Sequence, residues 1–412
     1  MGEAVTVTAS VFRAISEGQY HVAFPDLGIE FNVDYLRRDR HELFCELSVS
    51  CGILGARAID GCLSIGTFNL SSPQARQTRA KLLAERARAR GVDWSNLLEE
   101  VCQRVLSAER TGEPSILLRD VAKPTAQEEY DILGLRFPKS HPSILFGDGG
   151  TLKSYLELLI AGTLAAQGVR VGFFDWELDK FTHRRRLEQI NGPNMPDVRY
   201  VRCDRPLVYE VTRLRRTIQQ DRLDYAIFDS VGYGTQGAPE SAEAAMDYCR
   251  ALRQLGIGSN LVAHITKSEA GDQRPFGSVF WHNSARATWN LKRAATSPDG
   301  LSLSLAAFHR KSNLGPQRSA VGISVQFDRD RVYFSRVDVA TIDEIAESLP
   351  LWQRIRSIVK AGPQTLATIA SELNYDKVDS LDRIVRKHKN LFTKVSGTDG
   401  VTRIALVERR AS

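Results

Sequence analysis

The sequence predicts an α/β protein whose core is a mostly parallel sheet, preceded by a small β-rich domain and followed by a compact helical unit. Three observations support this prediction. Short apolar runs alternate with helical segments from residue 143 to about residue 337, which is typical of parallel strands joined by helices. A glycine-rich stretch, residues 147–154, joins the first apolar run to the first helix. Residues 351–412 hold 12 Lys and Arg against 6 Asp and Glu, so they carry the whole net charge of +6.

Residues 1–70 are predicted to form a β-rich accessory domain. Apolar and polar residues alternate over three runs, at residues 21–24, 29–33 and 43–49, and turn residues separate these runs. The pattern is that of strands with one buried and one exposed face.

Residues 71–120 are predicted to form a helical connector. Ser72 followed by Pro73 is a typical helix start, with an N-cap and then proline at the first helical position. The basic residues between positions 76 and 90 either contact nucleic acid or form a solvated helix face, and the second interpretation is the simpler one.

Residues 121–340 are predicted to contain the parallel sheet. The expected strands are residues 143–146, 169–175, 200–203, 225–229, 260–264, 287–291, 302–309 and 321–327. The last two are close in sequence and are expected to form an antiparallel hairpin at the edge of the sheet. An apolar segment at residues 155–166 predicts a helix directly after the glycine-rich stretch.

The glycine-rich stretch has the composition and context of a loop that binds nucleotide phosphates. A strand precedes it, a helix follows it, and Lys153 and Ser154 stand at the helix start. Glycines allow consecutive backbone N–H groups to curl around phosphate oxygens, and the helix N-terminus adds partial positive charge. The residues expected to bind ATP are Gly147, Asp148, Gly149, Gly150, Thr151, Leu152, Lys153 and Ser154.

Three positions of this stretch carry specific expectations. Lys153 would reach the β- and γ-phosphates, and the Ser154 hydroxyl would bind Mg²⁺. Leu152 departs from the usual pattern, G-x-x-x-x-G-K-[ST], because it stands where the second glycine belongs. We expect Leu152 to avoid a positive φ, with Gly149 and Gly150 supplying the freedom instead. The alternative is a plain glycine turn beside a chance Lys-Ser pair.

Two acidic residues at the ends of apolar strands are expected at the same edge of the sheet. Glu177 would orient and polarise the water that attacks the γ-phosphate, whereas Asp175 is expected to point the other way. Asp229 would hold Mg²⁺ through its water shell. The simpler alternatives are a surface acid for Glu177 and a helix cap for Asp229.

A fourth strand, residues 260–264, leaves His264 and then Thr266 at its tip. A polar side chain there could sense the γ-phosphate and relay its presence to the next loop. A buried histidine with ordinary hydrogen bonds is the alternative for His264.

The order of these segments resembles the RecA-like P-loop ATPases. The phosphate loop is followed by Asp-Trp-Glu at 175–177, Asp-Ser at 229–230 and His-x-Thr-Lys at 264–267. The sequence is most similar to the plasmid and phage branch related to hexameric replicative helicases of the RepA type, and residues 275–286 resemble the loop and helix after that branch's sensor strand. The resemblance covers about residues 120–337.

The resemblance implies a homo-oligomer, as a ring or filament, with nucleotide sites at the subunit interfaces. In similar proteins a strand in the position of residues 308–315 ends in basic residues that reach the neighbouring subunit's nucleotide. Arg310 and Lys311 match by position, and Arg286 is a weaker candidate. A basic loop that binds DNA phosphate is the alternative.

The resemblance also implies two loops that face a central channel and contact DNA. Lys267 and Arg274 match the basic loop after the sensor strand, and Gly232, Gly234 and Gly237 match a second, mobile loop. Glycine-rich loops are also ordinary connections.

Residues 350–412 are predicted to form a winged helix. Helices are expected at residues 351–360, 365–373 and 378–389, and a hairpin at 392–407. The third helix would dock on DNA through its basic side chains. These side chains are Arg383, Arg386, Lys387 and Lys389. A winged helix used for protein contacts is the alternative.

Composition argues against several other classes of protein. No apolar run approaches the roughly 18–20 residues that span a membrane. The first residues lack the features of a secretory signal, so a cytoplasmic protein is expected. The six cysteines have no C-x-x-C spacing, which favours buried free thiols over zinc sites or disulfides.

These observations together predict an ATP-hydrolysing, DNA-associated motor or assembly factor. The alternative is a DNA-binding regulator without motor activity, in which bound ATP sets only the state of assembly. A small-molecule phosphotransferase is disfavoured, because no separate acceptor pocket is evident in the sequence.

Overall fold

A computed structural model describes residues 9–16, 18–89, 91–112, 115–123, 128–265, 278–342, 345, 349–397 and 399–407 of the 412-residue chain. The chain divides into two compact units, Met1–Lys123 and Pro124–Ser412. None of the helices in the described ranges is long and apolar enough to cross a membrane.

The first unit is an antiparallel sheet with two helices packed on it. Its strands, neighbours in chain order, are β1 (Val11–Ser16), β2 (Gln19–Phe24), β3 (Ile29–Asp39), β4 (Glu42–Cys51) and β5 (Cys62–Asn69). Its helices are α1 (Pro73–Ala87) and α2 (Trp94–Thr111). Ser72 caps α1 by accepting a hydrogen bond from the Ala75 N–H, as the Ser-Pro pair predicts.

Strands and helices of this unit share one hydrophobic core. Alternate strand residues such as Phe31 and Leu47 are fully buried together with Leu83 of α1 and Val101 of α2. The sequence predicted a connector over residues 71–120, but the two helices are part of the amino-terminal unit because their apolar faces cover its sheet.

Two of the basic residues of α1 are hydrogen-bonded within this unit. The Arg76 guanidinium pairs with Glu99 at 2.8 Å and donates to the Leu70 carbonyl. Arg79 donates to the Ser64 hydroxyl at 2.9 Å. These two cations stabilise the packing of α1, which leaves them poorly placed for nucleic acid.

The second unit is built on a large mixed sheet, and the prediction of a mostly parallel α/β core is confirmed. Within the described residues the strand order is β10-β9-β11-β12-β8-β13-β14-β15-β16. The first six run parallel, and the last three are antiparallel to their neighbours. The strands are β8 (Pro142–Gly147), β9 (Val171–Asp175), β10 (Val198–Arg202), β11 (Tyr225–Asp229), β12 (Gly258–His264), β13 (Ala287–Thr296), β14 (Ser302–Ser312), β15 (Val321–Phe327) and β16 (Val332–Val337), preceded by a small hairpin of β6 (Glu129–Ile132) and β7 (Leu135–Pro138).

The expected hairpin of the last two predicted strands is confirmed by the antiparallel pairing of β14 with β15. It does not form the edge of the sheet, because β16 pairs with β15 on the outside.

Helices cover both faces of this sheet. They are α3 (Lys153–Ala166), α4 (Lys180–Asn191), α5 (Leu207–Gln220), α6 (Val231–Gly234), α7 (Ala242–Gln254) and α8 (Val279–Ser284). On one face α3 and α4 pack around Leu145 and Phe173. On the other face α5, α7 and α8 pack around Phe146 and Phe228. The central strands are therefore buried on both sides, which explains their nearly continuous apolar sequences.

The chain ends in three helices followed by a hairpin, with a small core of their own. The elements are α9 (Leu351–Lys360), α10 (Leu366–Glu372), α11 (Val378–Lys387), β17 (Phe392–Ser396) and β18 (Thr402–Leu406). Ile355, Ile369, Leu381, Phe392 and Ile404 form the centre of this core. The third helix ends at Lys387, so Lys389 follows it rather than lying within it as expected.

Candidate nucleotide-binding site

Four parallel strands deliver the predicted site residues to one edge of the sheet. Gly147 at the end of β8 lies opposite His264 at the end of β12. Asp229 at the end of β11 lies opposite Asp175 at the end of β9. The carboxyl ends of parallel strands form the edge at which α/β proteins bind ligands. The site is thus assembled by strand register.

The phosphate loop has a backbone that few other residues could adopt. A Cβ added to Gly147 would lie 2.5 Å from the Leu291 carbonyl oxygen, so β13 passes too close for any side chain there. Gly150 has a φ of +73°. These constraints match a loop whose N–H groups must turn towards a common point.

The expectation that Leu152 avoids a positive φ is wrong. Leu152 has φ 57° and ψ 29°, the left-handed conformation, directly before the first residue of α3. Its side chain packs against the core beneath α3. Left-handed backbone costs a non-glycine residue about 1–2 kcal/mol, so this contact and the closure of the loop must offset that cost.

Lys153 lies inside the loop. Its ammonium group donates hydrogen bonds to the carbonyl oxygens of Gly147 at 3.0 Å and Asp148 at 2.7 Å. Burial lowers the pKa of Lys153, while the carboxylates of Asp229, Glu177 and Asp148 oppose that effect. A buried cation among carbonyl oxygens and carboxylates can transfer its hydrogen bonds to phosphate oxygens.

Asp229 is a buried carboxyl group that lacks partners. It is 1% exposed, and neither oxygen has a hydrogen-bond partner among the described residues. Burial raises its pKa to about 6, although the nearby Ser154 hydroxyl favours the charged form. A buried carboxylate lowers the stability of the fold unless a cation or a hydrogen-bond donor compensates its charge.

Asp229 and Ser154 together offer oxygen ligands to Mg²⁺. The described residues contain no cluster of three or more His, Cys, Asp or Glu side chains placed to hold a metal. Mg²⁺ fits this arrangement, because it keeps several waters and is commonly bound through one carboxylate plus the substrate's phosphates.

Glu177 is exposed just beyond β9, and Asp175 shapes the turn that presents it. The Asp175 carboxylate accepts hydrogen bonds from the Glu177 N–H at 2.9 Å, the Leu178 N–H at 3.0 Å and the Tyr200 hydroxyl at 2.8 Å. Burial alone would raise the pKa of Asp175, but these bonds and His183 hold it well below its usual range. Sequence reasoning gave Asp175 no role in placing Glu177 and overlooked His183.

The charge of Glu177 acts on the rest of the site. It opposes the lowering of the pKa values of Lys153 and His264, and it contributes to the raised pKa of Asp229. The side chains therefore lie within electrostatic reach of one another, as the assigned role for Glu177 requires.

His264 ends β12 beside the phosphate loop. Burial and the Lys153 cation lower its pKa, which favours the neutral imidazole. A neutral imidazole can donate or accept a hydrogen bond near the phosphates. Thr266, the other polar residue expected at this tip, lies outside the described residues.

Arg293 is a site residue that sequence reasoning missed. The expected strand ended at Leu291, whereas β13 continues to Thr296 and brings the Arg293 guanidinium to within 3.2 Å of the Gly150 carbonyl oxygen. The signal was weak, because Lys292 and Arg293 interrupt the apolar pattern of the strand.

The structure does not bring Arg310 and Lys311 to the phosphate loop of their own chain. Lys311 pairs with Thr288, which pairs with Ile144, three residues before Gly147 on β8. Arg310 is the extra residue of a β-bulge at this point, and its guanidinium lies over the Phe308 ring.

Lys311 has a clear local role. Its ammonium group donates to the carbonyl oxygens of His282 at 2.6 Å and Asn283 at 2.9 Å, near the C-terminal end of α8. Arg310 is exposed, so it is the better placed of the two for a partner molecule.

The residues expected to contact DNA fall into two groups. Lys267 and Arg274 lie outside the described residues. Arg383, Lys387 and Lys389 are exposed on or just after α11, so they are accessible to a polyanion. Arg386 forms an ion pair with Asp382, which Lys394 also contacts at 2.7 Å.

Comparisons with known proteins find similarity among solved structures only. No protein-family model matches the chain, and no curated protein matches it. Among solved structures, one described as an ATPase domain is similar at 14% identity over 48% of this chain and 85% of that chain, with a TM-score of 0.40. A KaiC-like protein, PH0186 from Pyrococcus horikoshii OT3, is similar at 14% identity over 48% of this chain and 90% of that chain, with a TM-score of 0.38.

Proposed function

We propose that the chain is a Mg²⁺-dependent ATPase that acts on DNA as a motor or assembly factor. One observation carries the proposal: a glycine-constrained loop with a buried lysine meets Asp229, Glu177 and His264 at one edge of a parallel sheet. Each group has the chemistry that phosphoryl transfer to water requires.

The residues divide the work of hydrolysis. The loop N–H groups and the Lys153 ammonium would hold the phosphates, and Ser154 and Asp229 would hold Mg²⁺. Bound Mg²⁺ would supply positive charge to the phosphate oxygens. Glu177 would orient the attacking water, and the neutral His264 would respond to the γ-phosphate through a hydrogen bond.

We infer that the active form is a homo-oligomer with nucleotide at its subunit interfaces. Arg310 is too far along β14 to serve its own loop, but it is exposed on a bulge, and bulges commonly redirect a side chain for function. Lys311 is the weaker candidate, because it is hydrogen-bonded at the end of α8. A DNA-phosphate contact by Arg310 is the alternative.

We infer further that residues 350–412 form a winged helix that binds DNA. Three helices and a hairpin follow one another there. Arg383 and Lys387 are exposed on α11, and Lys389 is exposed two residues after its end. A channel loop containing Lys267 and Arg274 would add contacts to the same polyanion. Unwinding of a duplex and loading of a replication complex are both compatible with this arrangement.

A second candidate function is a DNA-binding regulator that uses ATP only as an assembly switch. Two observations favour it: the left-handed Leu152, and the hydrogen bonds from Lys153 to the carbonyl oxygens of its own loop. A loop closed on its lysine can bind nucleotide and release phosphate slowly.

The test is ATP hydrolysis with and without single-stranded DNA. The ATPase proposal expects Mg²⁺-dependent turnover that DNA stimulates and that Lys153→Ala abolishes. Lys180→Ala, an exposed lysine at the start of α4, is the matched control and should retain turnover. ATP binding without turnover would favour the switch, and neither binding nor turnover would contradict both.

A further inference from the structure

A buried carboxyl group, Glu157, lies between α3 and the sheet. It stands one turn after Lys153 on α3, and none of its side chain is exposed. One of its oxygens accepts a hydrogen bond from the Asn260 amide at 2.5 Å. The Asn260 carbonyl oxygen accepts a hydrogen bond from the Ser143 hydroxyl at 2.7 Å. Three polar groups thus join α3, β12 and β8 inside an apolar layer.

This chain of hydrogen bonds connects the elements that carry the candidate site. Asn260 lies on the same face of β12 as His264, and Ser143 on the same face of β8 as Gly147, because alternate strand residues share a face. Asn260 is also paired with Ser143, as His264 is with Gly147. A shift of α3 along its axis would therefore move Lys153 relative to His264.

We propose that Glu157 is a positioning residue: its carboxyl group, bonded to Asn260, fixes the helix that carries Lys153 and Ser154 in register with the strand that carries His264. The nucleotide part of this inference rests on the proposed function. An apolar side chain of similar size would pack in the same layer but would not fix one register of α3. Fixing a register is the best-attested use of a buried polar group.

The surroundings of Glu157 favour its neutral form. Burial raises its pKa to about 8, the Asn260 hydrogen bond opposes this effect, and the Asp229 charge adds to it. Its second oxygen has no hydrogen-bond partner among the described residues, so a negative charge on it would be uncompensated.

The other titratable groups near Glu157 are few in the described part of the chain. Asp229 and Tyr225 face it from β11, Tyr130 lies behind Tyr225 in an edge-to-face contact, and Lys153 precedes it on α3. Burial raises the pKa of Tyr225, so its phenol stays neutral across the range in which Glu157 titrates.

The test is calorimetric titration of ATP with Mg²⁺ into wild type, Glu157→Gln and Glu157→Leu between pH 6 and pH 9.5. Wild-type affinity should fall about tenfold from pH 7 to pH 9. Loss of the Glu157 proton near pH 8 leaves the bond to Asn260 in place but puts charge on the unpartnered oxygen in the apolar layer, which disfavours the packed register. Glu157→Gln keeps the bond to Asn260 and should bind like wild type at pH 6.5, without this fall. Glu157→Leu should bind about tenfold more weakly at pH 6.5.

Glu188→Gln, a carboxyl-to-amide change at a half-exposed position on α4, is the matched control and should follow wild type. The titration of Lys153 is common to all variants and cancels in the comparison. A Glu157→Gln curve that follows wild type through pH 9, or wild-type affinity in Glu157→Leu, would overturn the proposal.

The thermal unfolding midpoint separates this inference from the ATPase proposal, because it needs no nucleotide. The unfolded carboxyl loses its proton near pH 4.5, but the folded one keeps it to about pH 8, so wild type should lose stability relative to Glu157→Gln across that window. If no variant binds ATP at any pH, the proposed function is wrong. A midpoint difference that stays constant from pH 5 to pH 8 would instead contradict a neutral Glu157.

Discussion

The ends of β9 and β11 lie side by side and carry the same residue type in different electrostatic environments. Asp175 and Asp229 pair in register, and both are almost fully buried. Asp175 accepts two backbone hydrogen bonds and one from Tyr200, and its pKa is held well below the usual range. Neither oxygen of Asp229 has a hydrogen-bond partner of ordinary geometry among the described residues, although the Ser154 hydroxyl lies near, and burial raises its pKa to about 6.

The difference shows that burial alone does not decide the state of a carboxyl group. Hydrogen-bond donors stabilise the charge of Asp175, so it serves the fold by shaping the turn before Glu177. The buried carboxylate of Asp229 lacks such compensation, and a bound metal ion would stabilise its negative charge. The proposed function therefore gives the metal site to Asp229 and not to Asp175.

The largest effect is expected from Asp229→Asn, which removes the carboxylate but keeps its shape. Mg²⁺-dependent hydrolysis should fall on the order of 10³-fold, because metal stabilisation of the transition state amounts to several kcal/mol. Steady-state kinetics across Mg²⁺ concentrations measures this. Unchanged turnover would remove Asp229 from the metal site.

The same variant should be more stable than wild type at pH 7. The folded-state pKa of Asp229 is raised, so its charge costs stability as the pH rises from about 4 to 6. Relief of that cost corresponds to at most about 3 kcal/mol. Denaturant unfolding at pH 7 checks it, and a large loss of stability would show that Asp229 is a structural group like Asp175.

Glu177→Gln tests the proposed role of Glu177, just beyond β9, in orienting the attacking water. ATP binding should persist, whereas turnover should fall about 10²–10⁴-fold, because the amide cannot accept the proton of the attacking water. Binding and single-turnover assays on one preparation separate the two steps. Retained hydrolysis would refute the assignment of Glu177.

Asp175→Asn should affect folding more than chemistry. Loss of the charged acceptor for three hydrogen bonds should cost about 3 kcal/mol of unfolding free energy at pH 7. The folded-state pKa is depressed, so this stability is present above about pH 4 and is lost in acid, where variant and wild type should converge. A difference that persists in acid would contradict the electrostatic account.

The smallest effect is expected from Leu152→Gly. Glycine removes the left-handed strain of about 1 kcal/mol but also loses the apolar contact beneath α3, so stability should change by less than about 1 kcal/mol. Turnover is the more informative measurement. An increase in the turnover rate would show that Leu152 limits hydrolysis, and would favour the assembly switch. An unchanged turnover rate would favour the ATPase.

The sequence predicts the local parts of this site well. The strand 225–229 and the acidic residue at its end follow from one apolar run, and the phosphate loop follows from glycines placed between a strand and a helix. These features depend on neighbours in sequence, so a pattern of a few residues is enough.

The parts that escaped prediction depend on contacts between distant segments. Leu152 takes a positive φ in a loop that packs closely against β13 at Gly147, and the Lys311 ammonium group is hydrogen-bonded to the end of α8. Glu157 resembles any surface acid on a helix until Asn260, 103 residues later, is placed beneath it. Local propensity carries no information about such pairings.

The most direct measurement of the central claim is calorimetric titration of ATP into wild type and Asp229→Asn, each with Mg²⁺ and with a chelator. The account predicts that wild type binds ATP, that Mg²⁺ strengthens this binding, and that Asp229→Asn loses most of the Mg²⁺ effect. Absence of binding in wild type with Mg²⁺, or an equal Mg²⁺ effect in both proteins, would contradict it.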